Sequence, residues 1–205
     1  MPKRVDHDLR KRQIADALLR VADSVGLHAA GMREVAAEAG MSVRLVQYYF
    51  ETKERLLLFG LQHLGTLFHH RIQARLASMG DEVGPRVLVK TILEESLPAD
   101  RESRTLHHVY TAYHVLALTD PKLAAQPFLK GPNALEAALI EQLRLAFGSE
   151  PVRLSDLRLE VVGLMALTAG LGTSVLAGQR TAADARKVLR HHLDRLFKAL
   201  DENVP

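Results

Sequence analysis

The stretch Met32–Leu57, MREVAAEAGMSVRLVQYYFETKERLL, constrains the fold more than any other part of the chain. It reads as a helix, a glycine turn, a short helix ending in aromatics, and the capped start of a long helix. Ala36, Gly40 and Val46 stand four and six residues apart. Two helices crossing steeply around a tight turn need a small residue on the first and a branched apolar plug on the second. Between them they need a residue that tolerates positive φ. Gly31 can cap the first helix, with Glu34 three residues on forming part of a capping box. Ser42 is the expected N-cap of the second helix and Thr52 of the third. From Ser42 the helical period turns Leu45, Val46 and Tyr49 inward, and Val43, Arg44, Gln47 and Tyr48 outward. Phe50 closes the small core. Arg, Gln and Tyr on the outer face can hydrogen-bond to base edges and phosphates, and Lys53 stands beside a helix N-terminus where a DNA phosphate could sit. Such a helix, held outward at a fixed angle, suits insertion into the major groove of DNA.

The rest of the chain carries apolar residues at 3.6-residue spacing almost throughout, with no alternating strand-like run, and predicts an all-α protein of about nine helices. Its 205 residues are ample for a proper core. A first amphipathic helix spans Leu9–Val25 after a short polar tail. A long helix runs from Lys53 to Met79, where Gly80 and Gly84-Pro85 break the pattern. Further helices are expected over Arg86–Leu97, Arg101–Leu118, Asn133–Phe147, Leu154–Ala177 and Ala182–Leu200. Interruptions are expected at Pro127, at Gly131-Pro132 and at Gly148. The organisation expected is an N-terminal three-helix helix-turn-helix domain, 1–52, and a C-terminal helical ligand-binding and dimerisation bundle, 53–205. Helix 53–79 links the two.

A net charge of +3 does not by itself argue for nucleic acid. The first sixty residues hold ten Lys or Arg against eight acids. The basic residues concentrate locally, with Lys3, Arg4, Arg10, Lys11 and Arg12 clustered at the amino end. They form either a solvated terminus or an arm contacting phosphate. The absence of cysteine rules out disulfides and thiol chemistry and suits a cytoplasmic protein. The charged amino end lacks the apolar core of a signal peptide.

Val161–Gly178 carries no charge over eighteen residues, near the length of a membrane span. Its glycines and small polar residues favour instead a soluble helix, packed on nearly all sides and against a second subunit. The last helix adds an apolar stripe of Val188, Leu189, His192, Leu193, Leu196 and Leu200. Together the two helices could form a four-helix dimer interface, for which Val161, Met165, Leu171, Val175, Val188, Leu189, Leu193 and Leu196 are the candidates. No membrane association is expected.

Enzymatic and metal signatures are missing. No HExxH occurs, and no Glu has a His three residues later, as a di-iron bundle needs. Gly170-Leu171-Gly172 follows no strand and lacks a third glycine. The pairs His69-His70, His107-His108 and His191-His192 diverge by about a hundred degrees on a helix, so they chelate together poorly. No nucleophile elbow marks a Ser-His-Asp set. No metal, cofactor or catalytic residue is therefore expected.

Val35-Ala36, Ala39-Gly40-Met41-Ser42, the aromatic-rich Leu45–Phe50 and Lys53-Glu54-Arg55-Leu56 together resemble the DNA-binding signature of TetR-family transcriptional regulators. The C-terminal half is similar to the subgroup of betaine-type repressors. The resemblance implies a homodimer that binds a palindromic operator and is released by a small-molecule effector, with the helix from Lys53 carrying the motion. It assigns Arg44, Gln47 and Tyr48 to the groove and Tyr49 and Lys53 to phosphate, with Ser42 and Val43 at the same helix start. Two departures stand out. The family often has Thr where Ala30 and Gly31 stand, and usually Tyr where this chain has Gln47, a residue able to bond bidentately to adenine.

Candidates for the effector pocket are Phe68, His69, Tyr110, Tyr113, His114 and Met165, each of which could equally be ordinary core. A choline-like cation would want an aromatic cage, which a chain without Trp supports poorly. The rival reading is a helical-bundle enzyme or carrier for a small apolar ligand. A third is a regulator-like protein that binds partners rather than DNA, against which Arg44, Gln47 and Lys53 argue.

Overall fold

The structure is a computed structural model that describes residues 2–80, 83–127, 130–147 and 154–202. Among these residues there are ten α-helices and no strand. They are α1 (Pro2–Val25), α2 (Met32–Glu38), α3 (Val43–Phe50), α4 (Lys53–Ala77), α5 (Pro85–Glu95), α6 (Arg101–Thr119), α7 (Pro121–Ala124), α8 (Lys130–Phe147), α9 (Leu154–Leu176) and α10 (Ala182–Glu202). A single 3₁₀ turn, Leu27–Ala29, follows α1. The all-α expectation is borne out.

Two boundaries differ from the sequence pattern for one physical reason. Helix α1 starts at Pro2 rather than Leu9, and α8 starts at Lys130 and runs through Gly131-Pro132. Both prolines fall in a helix's first turn, where the backbone N–H has no intrahelical acceptor and the fixed φ suits the helix. The stop expected at Gly148 lies outside the described residues, as do the side chains of Lys3, Arg4 and Leu200.

The chain forms two compact units, Met1–Phe68 with His108–Leu129, and His69–His107 with Lys130–Pro205. The first unit is larger than the expected segment 1–52, because α4 up to Phe68, α6 from His108 and α7 belong to it. Its core is built on the inner face of α1, where Ile14, Leu18 and Ala22 are buried with Val35, Val46, Leu56, Leu57 and Tyr113. Gly60 lets the elements approach closely. A Cβ there would meet Leu18 Cδ2 and stand 2.7 Å from Tyr113 Oη. The Tyr113 hydroxyl donates to the Leu57 carbonyl at 2.6 Å, and burial pushes its pKa well up. His63 Nε2 pairs with Asp16 Oδ1 at 2.6 Å, tying α4 to α1.

In the second unit, α8 packs on α5 and α9, and α10 packs on the same two helices. Leu139, Leu143, Leu157, Val161, Leu189 and Leu193 form the middle of this core. At its edge the half-buried guanidinium of Arg71 donates to Glu95 at 2.6 Å, to Glu102 at 3.2 Å and to Asp100. Gly172 is the second position that needs a missing side chain, since a Cβ there would run into the His107 ring. His107 Nδ1 pairs with the Ser96 carbonyl at 3.2 Å, and desolvation holds its imidazole below the usual histidine range despite that bond.

Candidate nucleic-acid interface

The turn between α2 and α3 is made by backbone chemistry that only Gly40 satisfies easily. Gly40 takes φ +64, which L side chains avoid. In that conformation Met41 N–H reaches the Ala36 carbonyl at 2.9 Å and Gly40 N–H reaches the Ala37 carbonyl at 3.1 Å. The paired bonds close α2 as a Schellman motif. Ser42, extended at φ −73 and ψ 145, then accepts from Leu45 N–H at 3.2 Å and opens α3. At α2 the Glu34 carboxylate folds back toward Gly31. The Gly31 N–H, however, already donates to the Ala29 carbonyl at 2.8 Å, so the partial capping box does not close.

Helix α3 buries one face and offers the other. Val46 is fully buried and Phe50 nearly so, its ring 5.3 Å from that of Phe59. Arg44 and Gln47 are exposed, Tyr48 is 67% exposed, and Val43, Leu45 and Tyr49 are half-buried. Three of the four residues read as outward, Arg44, Gln47 and Tyr48, are thus exposed, while Val43 is half-buried. The inner face is carried by Val46 and Phe50 more than by Leu45 and Tyr49.

The end of α3 was not foreseen. Glu51 has φ 57 and ψ −52, and Thr52 N–H donates across it to the Phe50 carbonyl at 2.5 Å. This is a three-residue γ-turn of the positive-φ kind, a strained conformation for a residue with a Cβ. Glu51 also donates its own N–H to the Gln47 carbonyl at 2.8 Å, and its carboxylate meets Arg55 at 2.6 Å. Thr52 caps α4 by accepting from Arg55 N–H at 3.2 Å. One residue thus separates the turn of one helix from the first turn of the next.

Lys53 stands at the start of α4 as expected, but its ammonium is engaged. Nζ donates to the His28 carbonyl at 3.1 Å, satisfying an acceptor of the 3₁₀ turn. Two of its three protons remain for another partner. Arg20 Nε and Glu38 pair at 2.6 Å, bracing the end of α2 against α1. At the positions where a hydroxyl was noted as missing, Ala30 is fully buried and Gly31 is half-buried. On the same surface the His7 ring of α1 lies 5.9 Å from Tyr48 and 4.9 Å from Tyr49, centroid to centroid, and the two tyrosines lie 5.4 Å apart. His7 was not singled out in the sequence, since a polar amino end offers no periodicity against which to place it.

The candidates for an effector pocket are shared between the two units. Phe68, Tyr110, Tyr113 and His114 fall in the first unit, His69 and Met165 in the second. Tyr113 is a core residue with its hydroxyl bonded to backbone, and His69 is exposed. Tyr110 and His114 are half-buried with rings 4.4 Å apart on α6. Burial also pushes the Tyr110 pKa up. Among the described residues no three His, Asp or Glu side chains cluster as a metal set.

The residues picked for a dimer interface mostly face inward. Val161, Leu171, Val175, Leu189 and Leu193 are buried within the second unit, while Met165, Val188 and Leu196 are half-buried. The surface that α9 leaves open is instead Leu159, Val162, Ala166, Ala169, Gly170 and Thr173. Asp156–Leu176 is long and apolar enough to cross a membrane by length and composition.

Residues 14–58 match the family model of bacterial regulatory proteins of the tetR family, and residues 85–198 that of the C-terminal part of BetI-type transcriptional repressors. Among curated proteins the chain is 26% identical over 196 residues to the regulator BetI of Proteus mirabilis, covering 95% of this chain and 94% of that one. It is 32% identical over 118 residues to PksA of Bacillus subtilis, a match covering 57% of this chain and only 56% of that regulator. A solved transcriptional regulator from Rhodococcus superposes with TM-score 0.72 at 27% identity, over 95% of this chain and 99% of the other. A second, a regulator from Saccharomonospora viridis solved in complex with choline, has TM-score 0.75 at 22% identity, over 90% and 95%.

Proposed function

Because this chain belongs to the TetR family of bacterial regulatory proteins, we propose that it represses transcription by binding a palindromic operator as a homodimer, and is released by a small-molecule effector. It is a regulator and not an enzyme, like its relatives, so the reading as a bundle enzyme or carrier falls away. The observation that carries the proposal is the exposed row of Arg44, Gln47 and Tyr48 on a helix whose start and end are fixed by hydrogen bonds and whose plug, Val46, is fully buried. Readout of base edges needs a rigid platform with polar groups aimed outward. Ser42 and Val43 at the helix start, Tyr49 beside it and the free protons of Lys53 complete the surface toward phosphate.

Dimerisation through α9 is supported by its open row of small and apolar residues, which lets a second copy of the helix approach closely. The buried residues named above support that row from behind. Such pairing, in the cytoplasm, also accounts for the apolarity of α9 better than a membrane does. For the effector, Tyr110 and His114 remain the candidates on α6. Choline, bound by one solved relative of this fold, finds little support as the ligand. Tyr48 and Tyr49 lie on the helix-turn-helix and the Tyr113 hydroxyl is committed to Leu57.

The test is a gel shift at fixed salt against DNA flanking the chain's own gene, together with duplexes selected from a random pool. Specific binding is expected. Gln47→Ala should weaken it about tenfold and relax the preference at an adenine, the scale of one bidentate base contact. Absence of binding at low salt to either DNA source would sink the proposal. An unchanged preference in Gln47→Ala would remove Gln47 from the readout.

A further inference from the structure

Tyr48 and Tyr49 are successive residues of a helix, so their side chains leave the axis about a hundred degrees apart. Two exposed or half-buried phenols in that arrangement would normally sample several rotamers each. Here a third ring packs against both. His7 belongs to α1, more than forty residues earlier in the chain, and its imidazole meets Tyr49 edge-on at 4.9 Å and an interplanar angle of 70°. It meets Tyr48 at 5.9 Å and 59°, and the tyrosines meet each other at 5.4 Å and 75°. Tilted and edge-on geometries at these distances are the attractive ones for aromatic rings. His7 and Tyr48 are exposed, so the cluster contributes little to burying a core. Arg10 and Lys11 follow His7 at the helical spacing of three and four residues, on the same side of α1.

We propose that His7 is a positioning residue of the DNA-reading surface, holding Tyr48 and Tyr49 in the rotamers that meet the operator. The proposal rests on the DNA-binding reading of α3. His7 does its work in the free protein, by removing rotamer freedom that binding would otherwise have to remove.

The test uses the full-length chain and the duplex selected by the unmodified protein, with a scrambled duplex as reference. His7→Ala should bind the selected duplex about three- to tenfold more weakly, the scale of one or two aromatic pairs. Its affinity for the scrambled duplex, its salt slope and its melting temperature should stay unchanged. His7→Phe, which restores a ring, should recover affinity to within about twofold. In free protein, the Tyr48 and Tyr49 ring resonances should shift in His7→Ala and return toward their original positions in His7→Phe. Equal loss on both duplexes with a shallower salt slope would make His7 a phosphate contact and overturn the proposal. So would unchanged affinity, or unmoved tyrosine resonances. If the unmodified protein selects no duplex at all, the proposed function fails with it, an outcome distinct from a mutant that binds as well as its parent.

Discussion

Gly60 lies where α1, α4 and α6 meet in the first unit, and replacing it by alanine would place a methyl group in occupied space. The new carbon would meet Leu18 Cδ2 and stand 2.7 Å from Tyr113 Oη. The two obstacles are unequal. The Leu18 methyl ends a flexible side chain and can turn aside for about 0.5–1.5 kcal/mol. The phenol cannot, since Tyr113 is 1% exposed and its hydroxyl is anchored to the Leu57 carbonyl at 2.6 Å. Overpacking of this kind costs about 1–3 kcal/mol. Alanine's advantage over glycine inside a helix offsets about 1 kcal/mol, leaving Gly60→Ala destabilised by roughly 1 kcal/mol. Tyr113→Phe removes one buried hydrogen bond, about 0.5–1.5 kcal/mol, and also removes the atom that blocks the new methyl. The double variant should therefore be less destabilised than the sum of the singles, by about 1 kcal/mol, as expected of residues in contact. Urea unfolding of the parent and the three variants, compared at equal m-value, measures the cycle. Additivity within about 0.3 kcal/mol, or a Gly60→Ala protein more stable than its parent, would refute the packing argument.

Two further outcomes follow from bonds described above. Ser42→Ala removes the cap of α3 and should cost about 1 kcal/mol, lowering the melting temperature, with DNA affinity falling alongside; an unchanged melting temperature would show that Gly40 and Val46 hold α3 without it. His107 concerns pH. Its folded pKa is depressed by burial, so the unfolded chain takes up the proton first as pH falls. Stability should be fully present above the ordinary histidine range near pH 6.5 and decline as pH drops below it. Denaturant midpoints between about pH 7 and pH 5 should show this slope reduced in His107→Gln, and an undiminished slope would exclude His107 as its source.

The helix-turn-helix was legible because its determinants are local. Gly40, Ser42 and Thr52 each act within four residues of their partners, and Val46 plugs the same short segment, so their spacing discloses the turn, the caps and the plug. What escaped depends on distant partners. Lys53 meets a carbonyl twenty-five residues earlier and Tyr113 one fifty-six residues earlier, and neither side chain announces that in its own neighbourhood. That Tyr113 is buried with its hydroxyl on the Leu57 carbonyl could therefore not be read from its own stretch of sequence. The open face of α9 was not legible for a different reason. That helix is apolar all round, so its hydrophobic pattern has no phase from which to tell the side packed on α8 and α10 from the side left bare. The start of α1 was missed because a proline followed by charges, with no apolar period beside it, reads as a tail.

The γ-turn at Glu51 has a consequence for insertions and deletions. Surface connections ordinarily absorb an added residue at small cost. Between Phe50 and Lys53 an insertion would break the Thr52-to-Phe50 bond, move the α4 cap and change the angle at which α3 leaves the body, all at once. A scan of single-residue insertions along the first unit should show a sharp gap at this joint, even where substitution of Glu51 by glycine is accepted. The quantity guarded there is a length of chain, and the identity of the residues filling it matters less.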